Sequence, residues 1–392
     1  MTISLLPLPG DVSPAVQALG WDWAIEDACQ NYVAREAVQL TEAEAEALLQ
    51  AADTLYDMLV QAIPDPIPDE FLQRLAIPTN LWEAVRHSWN DERHWHLYGR
   101  FDLALTPDGA KLLEFNADTA TSLPETAVVQ WASLVAAGQA DDDRQANGLF
   151  ECLEDQFRHW RGLNQDRQAT LLLVYLPASA EDEANCAVLA EAAGAAGFAD
   201  IYTCPVDDMK VSLDGADRGV WAETVPGQWQ KFDFLFKLVP WEILAEEEPE
   251  LTADFTQLLR TRDVVIANPA YALLFQSKAL LPVLWEAFPH HPLLLESSFQ
   301  PLTGHHVRKP LFGREGQNVA EIEPNGHTAT EVPGEFGQQP QVYQRWAELP
   351  TDAQGRRYQA GVFWAGEACA IGFRREAGLI TNLSEFVPHV LV

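Results

Sequence analysis

Two polar strands that can pair in only a few ways constrain this chain more than any other feature. Residues His96 to Leu105 and Ala110 to Asn116 flank Thr106-Pro107-Asp108-Gly109, and a run–turn–run of this kind reads as a β-hairpin. A three-residue loop, Pro107-Asp108-Gly109, puts Gly109 where a positive φ is needed. That register sets Thr106 opposite Ala110, Asp102 opposite Glu114 and Arg100 opposite Asn116. Side chains alternate along a strand, so Arg100, Asp102, Glu114 and Asn116 share one face. Facing carboxylates repel unless a cation or a proton joins them. Asp102, Glu114 and Asn116 are oxygen ligands of the kind magnesium accepts beside waters and phosphates. Arg100 next to them can neutralise charge on a transferring phosphoryl group. The alternative is a solvated sheet face with an arginine–carboxylate pair.

Three further segments bear on chemistry. Asn116-Ala117-Asp118-Thr119-Ala120-Thr121-Ser122 leaves the second strand and enters a helix, and small hydroxyl residues there suit either an anion or an ordinary cap. Arg308-Lys309-Pro310-Leu311-Phe312-Gly313-Arg314-Glu315-Gly316 delivers a lysine on a strand and then a glycine-bearing loop. Such a loop can cover phosphates with its backbone amides, with Lys309 as a point charge, or it can be a plain turn. It is not a Walker A loop. Lys278 opens an apolar helix from Ser277 to Ala287, where a lysine opposes the helix dipole and an anion would relieve it. The histidines form no metal set: His94 and His96 alternate on a strand, and His290/His291 and His305/His306 are adjacent pairs. A serine-hydrolase elbow is absent.

Composition narrows the class. The chain has 392 residues and a net charge of −33, which argues against binding to nucleic-acid phosphates or an anionic membrane surface. At 47% apolar residues it can bury a large core. Its five cysteines (29, 152, 186, 204 and 369) include no C-x-x-C pair, which points to reduced, mostly packed thiols and a cytoplasmic protein. The N-terminus lacks a basic n-region and no apolar run is long enough to span a bilayer.

The order of elements gives an α/β (α+β) fold with mixed sheets, a helical N-terminal part and a strand-rich C-terminal part. Thr41-Glu42-Ala43-Glu44 is a capping box for a helix to about Ile63. Ser122-Leu123-Pro124-Glu125 caps an apolar helix to about Ala137, and an Asp-rich linker, 139–147, follows. Strands at 169–175, 201–204, 232–239 and 264–268 alternate with helices at 180–196 and 277–287. The last ninety residues carry strands at 307–310, 319–323, 342–346, 359–364, 368–374 and 379–382, with a loose connector at 325–341. No clean interdomain linker appears, so residues 1–392 read as one catalytic body.

At this point the sequence resembles the glutathionylspermidine synthase family of ATP-grasp ligases. The carriers are Tyr98-Gly99-Arg100-Phe101-Asp102, Leu113-Glu114-Phe115-Asn116-Ala117-Asp118, Val307-Arg308-Lys309-Pro310 with Gly313 and Gly316, and the tail from Ile371 to Thr381. The resemblance implies an ATP-grasp-type fold without a separate amidase domain. It implies an ATP- and magnesium-dependent ligase that joins a peptide-like carboxylate to an amine, possibly a polyamine, through an acyl phosphate. A catalytically degenerate protein that binds nucleotide or polyamine is the alternative. By this resemblance Arg100 is the catalytic residue, and Asp102, Glu114 and Asn116 hold two magnesium ions. ATP would meet Arg100, Phe101, Asp102, Lys278, Lys309, Glu315, Gly316, Gln344, Arg345, Trp346, Ala347, Arg374, Leu379, Ile380 and Thr381. Thr119, Thr121 and Glu183 would meet the acid and amine substrates. In the segment Lys237-Leu238-Val239-Pro240-Trp241, Leu238 stands where the family has threonine.

Overall fold

A computed structural model describes residues 2–18, 20–21, 24, 32–140 and 144–392. Cys29 and the Asp-rich stretch 141–143 lie outside the described residues.

Two five-stranded antiparallel sheets and one four-stranded parallel sheet position the site. The first, here called the hairpin sheet, runs Glu385–Val387, Ala368–Glu376, Arg357–Trp364, Gly99–Thr106, Gly109–Asn116. The second, the lysine sheet, runs Ser297–Ser298, Gln341–Arg345, His306–Pro310, Ala320–Ile322, Thr328–Glu331. The parallel sheet runs Val265–Ala267, Phe234–Leu238, Thr170–Tyr175, Asp200–Pro205. Its two inner strands, TLLLVY and FLFKL, are buried at every residue, as expected when a parallel sheet is covered on both faces. Helices Leu149–Leu163 and Ala180–Ala195 pack together, and the second lies on this sheet.

The helix predicted from the capping box spans Glu42–Ala62, and both reciprocal bonds of the box are present. Its buried stripe, Leu48, Ala52, Leu55 and Leu59, recurs every three or four residues and faces the hairpin sheet. Each buried leucine contributes about 1.5–3 kcal/mol by removal from water. From the same helix, Tyr56 stacks on Trp364 of the sheet with ring centroids 3.4 Å apart.

Several expected elements differ. The helix expected at 277–287 starts later, at Leu280–Ala287; a separate short helix, Ala272–Gln276, precedes it, and Lys278 sits in the turn between them. Pro282 explains this: only in a first turn does its missing N–H cost nothing. The 122–137 helix is helical throughout 123–136, but its Glu125–Val129 part is π-helical before Gln130–Ala136. Ser122 does not cap it; its φ is 76° and its hydroxyl accepts from Arg374 at 2.8 Å. Residues 379–382 are not a strand, because Arg374 draws the carbonyls of Asn382 and Ser384 at 3.1 and 3.0 Å in place of a ladder partner. His94 and His96 precede the hairpin strand, which starts at Gly99. The 232–239 run splits at Asp233: Gln228–Phe232 belongs to a small sheet with Met209–Ser212 and Gly219–Val225 that the sequence did not announce. The 325–341 connector contains the exposed edge strand Thr328–Glu331.

Candidate active site

The hairpin closes through a two-residue turn, with Thr106 opposite Gly109 rather than Ala110, and Gly109 at φ 97°. The ladder then slips by one residue between Asp102 and Leu103, leaving Leu113 unpaired as a bulge. Beyond it, Asp102 faces Glu114 and Arg100 faces Asn116, the expected pairing. Arg100 grips Asp102 with two bonds, Nε to Oδ1 at 2.8 Å and Nη2 to Oδ2 at 3.2 Å. Burial opposes the Arg100 charge, but Asp102 outweighs it and the guanidinium is held protonated more firmly than usual. Asn116 donates through Nδ2 to Asp102 at 3.2 Å. Phe101 points the other way, fully buried and stacked on Phe115 at 4.0 Å. Its side chain belongs to the core and does not line the cavity, as strand alternation requires.

Both lysines converge on this face. Lys278 Nζ lies 3.2 Å from Glu114 Oε2 and donates to the Gly313 carbonyl at 2.7 Å. Lys309 Nζ donates to the carbonyl of the bulge residue Leu113 at 3.0 Å and to Gln344 Oε1 at 2.9 Å. Gln344 Nε2 in turn donates to Leu112 O at 3.0 Å, so the bulge ties the two five-stranded sheets together. Burial would raise the Glu114 carboxyl, yet Lys278 and Lys309 hold it below the usual range. Burial pushes the Lys309 ammonium down to about 8.

These residues line one cavity of about 460 Å³. With them lie Thr119 and Thr121, the strand end Gln344 to Ala347, the loop residues Glu315 and Gly316, Arg374, and the segment Leu379 to Thr381. Gly316 has φ 73°, and a Cβ there would sit 2.5 Å from the Ile380 carbonyl oxygen, so only glycine lets the loop lie against 379–381. Glu183 is outside the cavity and exposed. Helix periodicity turns its neighbours Glu181 and Asp182 into the cavity instead. Burial raises the Asp182 carboxyl to about 6. Seven cations line the cavity (Arg100, Lys278, Lys309, Arg314, Arg345, Arg357, Arg374) against five carboxylates. A chain of net charge −33 thus concentrates positive charge where an anion would enter.

The sequence reading missed the support beneath the cavity. Lys237 and Asp118, each 1% exposed, pair at 3.0 Å. Lys237 also donates to Val239 O at 2.7 Å, and Trp241 N donates to Asp118 Oδ2 at 2.8 Å. Gln276 Oε1 accepts from the amides of Ala117 and Asp118 at 2.8 and 3.1 Å. His96 is buried, accepts or donates at Tyr56 and faces the Ala117 carbonyl at 2.9 Å; burial drives its imidazole down to about 4. The only sequence hint was polar residues inside apolar runs, such as lysine in FLFKL.

His87, Asp91 and His94 come together away from the cavity, with ligand atoms within 4.8 Å of one another. Both His94 ring nitrogens are engaged, by Leu259 O at 3.2 Å and Ile266 N at 3.1 Å, and Asp91 accepts from Arg262 at 2.7 Å. His94 and Asp91 are thus bonded into the core, and His87 Nε2, 3.8 Å from Asp91 Oδ2, has no hydrogen-bond partner among the described residues.

The fold and this cavity define an ATP-grasp-type protein. The sequence matches the family described as glutathionylspermidine synthase preATP-grasp over residues 6–392, and the chain belongs to that family. It is 32% identical over 373 residues to a Haemophilus influenzae protein named "Putative acid--amine ligase", covering 91% of this chain and 90% of that one. It is 27% identical over 378 residues to the bifunctional glutathionylspermidine synthetase/amidase of Escherichia coli, covering 90% of this chain but 59% of that protein. It is also 27% identical over 352 residues to the trypanothione synthetase of Crithidia fasciculata, covering 84% of this chain and 52% of that one. Among solved structures, a glutathione synthetase-like effector from Globodera pallida shares the fold at TM-score 0.50 and 12% identity, each chain covered to 98%.

Among the described residues, no helix is long and apolar enough to cross a membrane.

Proposed function

We propose that the chain is an ATP-dependent ligase that joins a small carboxylic acid to an amine, with residues 1–392 acting as one catalytic body. The observation that carries this is the meeting, in one cavity, of the oxygen face Asp102–Glu114–Asn116, the cations Arg100, Lys278 and Lys309, and a second carboxylate pair, Glu181 and Asp182.

The donor set fits magnesium: two carboxylates and an amide oxygen, all hard oxygen donors, on adjacent strands. Asp102, Glu114 and Asn116 would hold it, and when bound it supplies charge neutralisation to the nucleotide phosphates. Lys278 and Lys309 reach the same face and are placed to bind phosphate oxygens. Arg100, already protonated and oriented by Asp102, is placed to take up charge as the phosphoryl group moves to the acid. The loop bearing Glu315 and Gly316 lies over the cavity and would exclude water, which hydrolyses acyl phosphates. Thr119 and Thr121 offer hydroxyls to the acid. Glu181 and Asp182 are positioned for a cationic amine, the role that resemblance assigned to Glu183.

The test is ADP formation with ATP and magnesium across a panel of amines and short peptides, with amide products identified by mass spectrometry. Asp102→Ala should fold, by circular dichroism, and lose product formation by at least about 100-fold, the scale of a lost transition-state contact. Product formation by that variant at the parent rate would overturn the metal-ligand assignment. Nucleotide binding by the parent with no amide from any pair would favour the degenerate binder.

A further inference from the structure

Backbone bonds bring two cysteines, Cys152 and Cys369, to one junction where the Leu149–Leu163 helix meets the hairpin sheet, and their thiols interact there. Cys152 lies in the first turns of that helix and is half-buried; Cys369 lies on the Ala368–Glu376 strand and is 8% exposed. The backbone holds them in place from both sides. Gly148 N donates to Cys369 O at 2.7 Å, Cys152 N donates to Gly148 O at 3.0 Å, and Asn147 bridges Ala370. Glu367, at the tip of the adjoining hairpin, accepts from the Cys152 thiol at 3.8 Å, while Cys369 Sγ contacts Phe363 O at 3.5 Å. The neighbouring Gly366 leaves room for Gln156 of the same helix, whose amide would lie 2.1 Å from a Cβ there. Trp95 fixes that amide through Gln156 Oε1 at 2.8 Å.

We propose that Cys152 and Cys369 form a reversible disulfide when a peroxide reaches Cys152, making this junction a redox-modification site outside the ATP cavity. The geometry assigns the roles. Cys152 is the solvent-reached thiol at a helix N-terminal turn, and Cys369 is the shielded thiol behind it. A hydrogen bond between the thiols lowers the Cys152 thiol and raises that of Cys369, consistent with that order. The Cys152 thiolate attacks one peroxide oxygen; the O–O bond breaks, hydroxide leaves and takes up a proton as water, and Cys152 becomes a sulfenic acid. Cys369 then loses its proton and attacks the Cys152 sulfur; the S–O bond breaks and the departing hydroxide takes that proton. Each sulfur is oxidised by one electron and the peroxide is reduced by two, giving two waters.

Hydrogen peroxide on the full chain, followed by peptide mapping without reductant, tests this. The expected product is a linked pair of peptides containing Cys152 and Cys369, lighter by about 2 Da and released by dithiothreitol. Cys369→Ser should divert Cys152 to oxygen adducts, about 16 or 32 Da heavier. Cys152→Ser, at the more exposed position, should give no cross-link and leave the thermal midpoint indifferent to peroxide. The parent midpoint should rise on oxidation and fall back on reduction, because the link closes a long loop. Cys152 sulfinic acid without a cross-link in the parent, or no reaction at Cys152 under conditions that oxidise other thiols, would overturn the proposal. Neither result depends on the ligase reading.

Discussion

Lys237→Met isolates the buried charge pair beneath the cavity. The substitution keeps most of the side-chain volume and removes Nζ. Lost with it are the bond to Asp118 at 3.0 Å, the bond to Val239 O at 2.7 Å and the contact over the Trp241 ring at 4.2 Å. Asp118 keeps one bond, from the neutral Trp241 backbone N–H at 2.8 Å, and its Oδ1 is stranded at a site 1% exposed. Stranding a buried charge in this way costs about 3–5 kcal/mol. Burial already outweighs mutual attraction in the parent: Asp118 is held above the usual carboxylate range and Lys237 is pushed down to about 8. A carboxyl whose folded pKa exceeds its unfolded value makes the unfolded state the more ionised one. Its penalty is therefore full at neutral pH and fades as pH falls through the folded pKa. Urea unfolding at pH 8 and pH 5.5 should give Lys237→Met a loss of about 3–5 kcal/mol at the higher pH and a clearly smaller one at the lower. Adding Asp118→Asn should restore at least half of the loss. A loss under about 1 kcal/mol, or one equal at both pH values, would refute the reasoning.

Three other expectations follow from the same geometry. Lys309, at about 8, is charged below that pH, so the KM for ATP should climb as pH rises through 8, and Lys309→Arg should move the climb to higher pH. Asp182, at about 6, gains its charge above that pH, so apparent affinity for a cationic amine should strengthen as pH rises through 6, a dependence absent in Asp182→Asn. Thr41→Ala breaks the capping box, in which Glu44 N reaches Thr41 Oγ1 at 3.2 Å and Thr41 N reaches Glu44 Oε2 at 2.9 Å, and should lower urea stability by about 1 kcal/mol.

What the sequence made legible was local. The capping box at Thr41, the α/β alternation and the shared face of Arg100, Asp102, Glu114 and Asn116 depend on residues close in sequence, where periodicity carries the signal. The inward turn of the Phe101 side chain follows on the same grounds, since it alternates with the two residues that face the cavity. What was hidden is long-range. Lys237 and Asp118 are 119 residues apart, and no local pattern pairs them. Glu183 was misplaced because a run of three acidic residues at a helix start does not reveal its inward face; that is set by packing on the parallel sheet. Residues 379–382 read as a strand, whereas Arg374 claims the carbonyls of Asn382 and Ser384 and Gly316 lies against Ile380.

The unpaired residue at Leu113 separates two registers within one hairpin. The tip counts from Thr106 and Gly109; the carboxylate face counts from Asp102 and Glu114. The alignment of the carboxylates is thus set by the turn and the slip together. Moving one residue from the bulge into the turn, with Thr106 opposite Ala110, would keep the same pair at unchanged chain length, at the expense of re-aiming the carbonyl that receives Lys309. The slip therefore sets the aim of the carbonyl that holds Lys309 while the carboxylates stay in step.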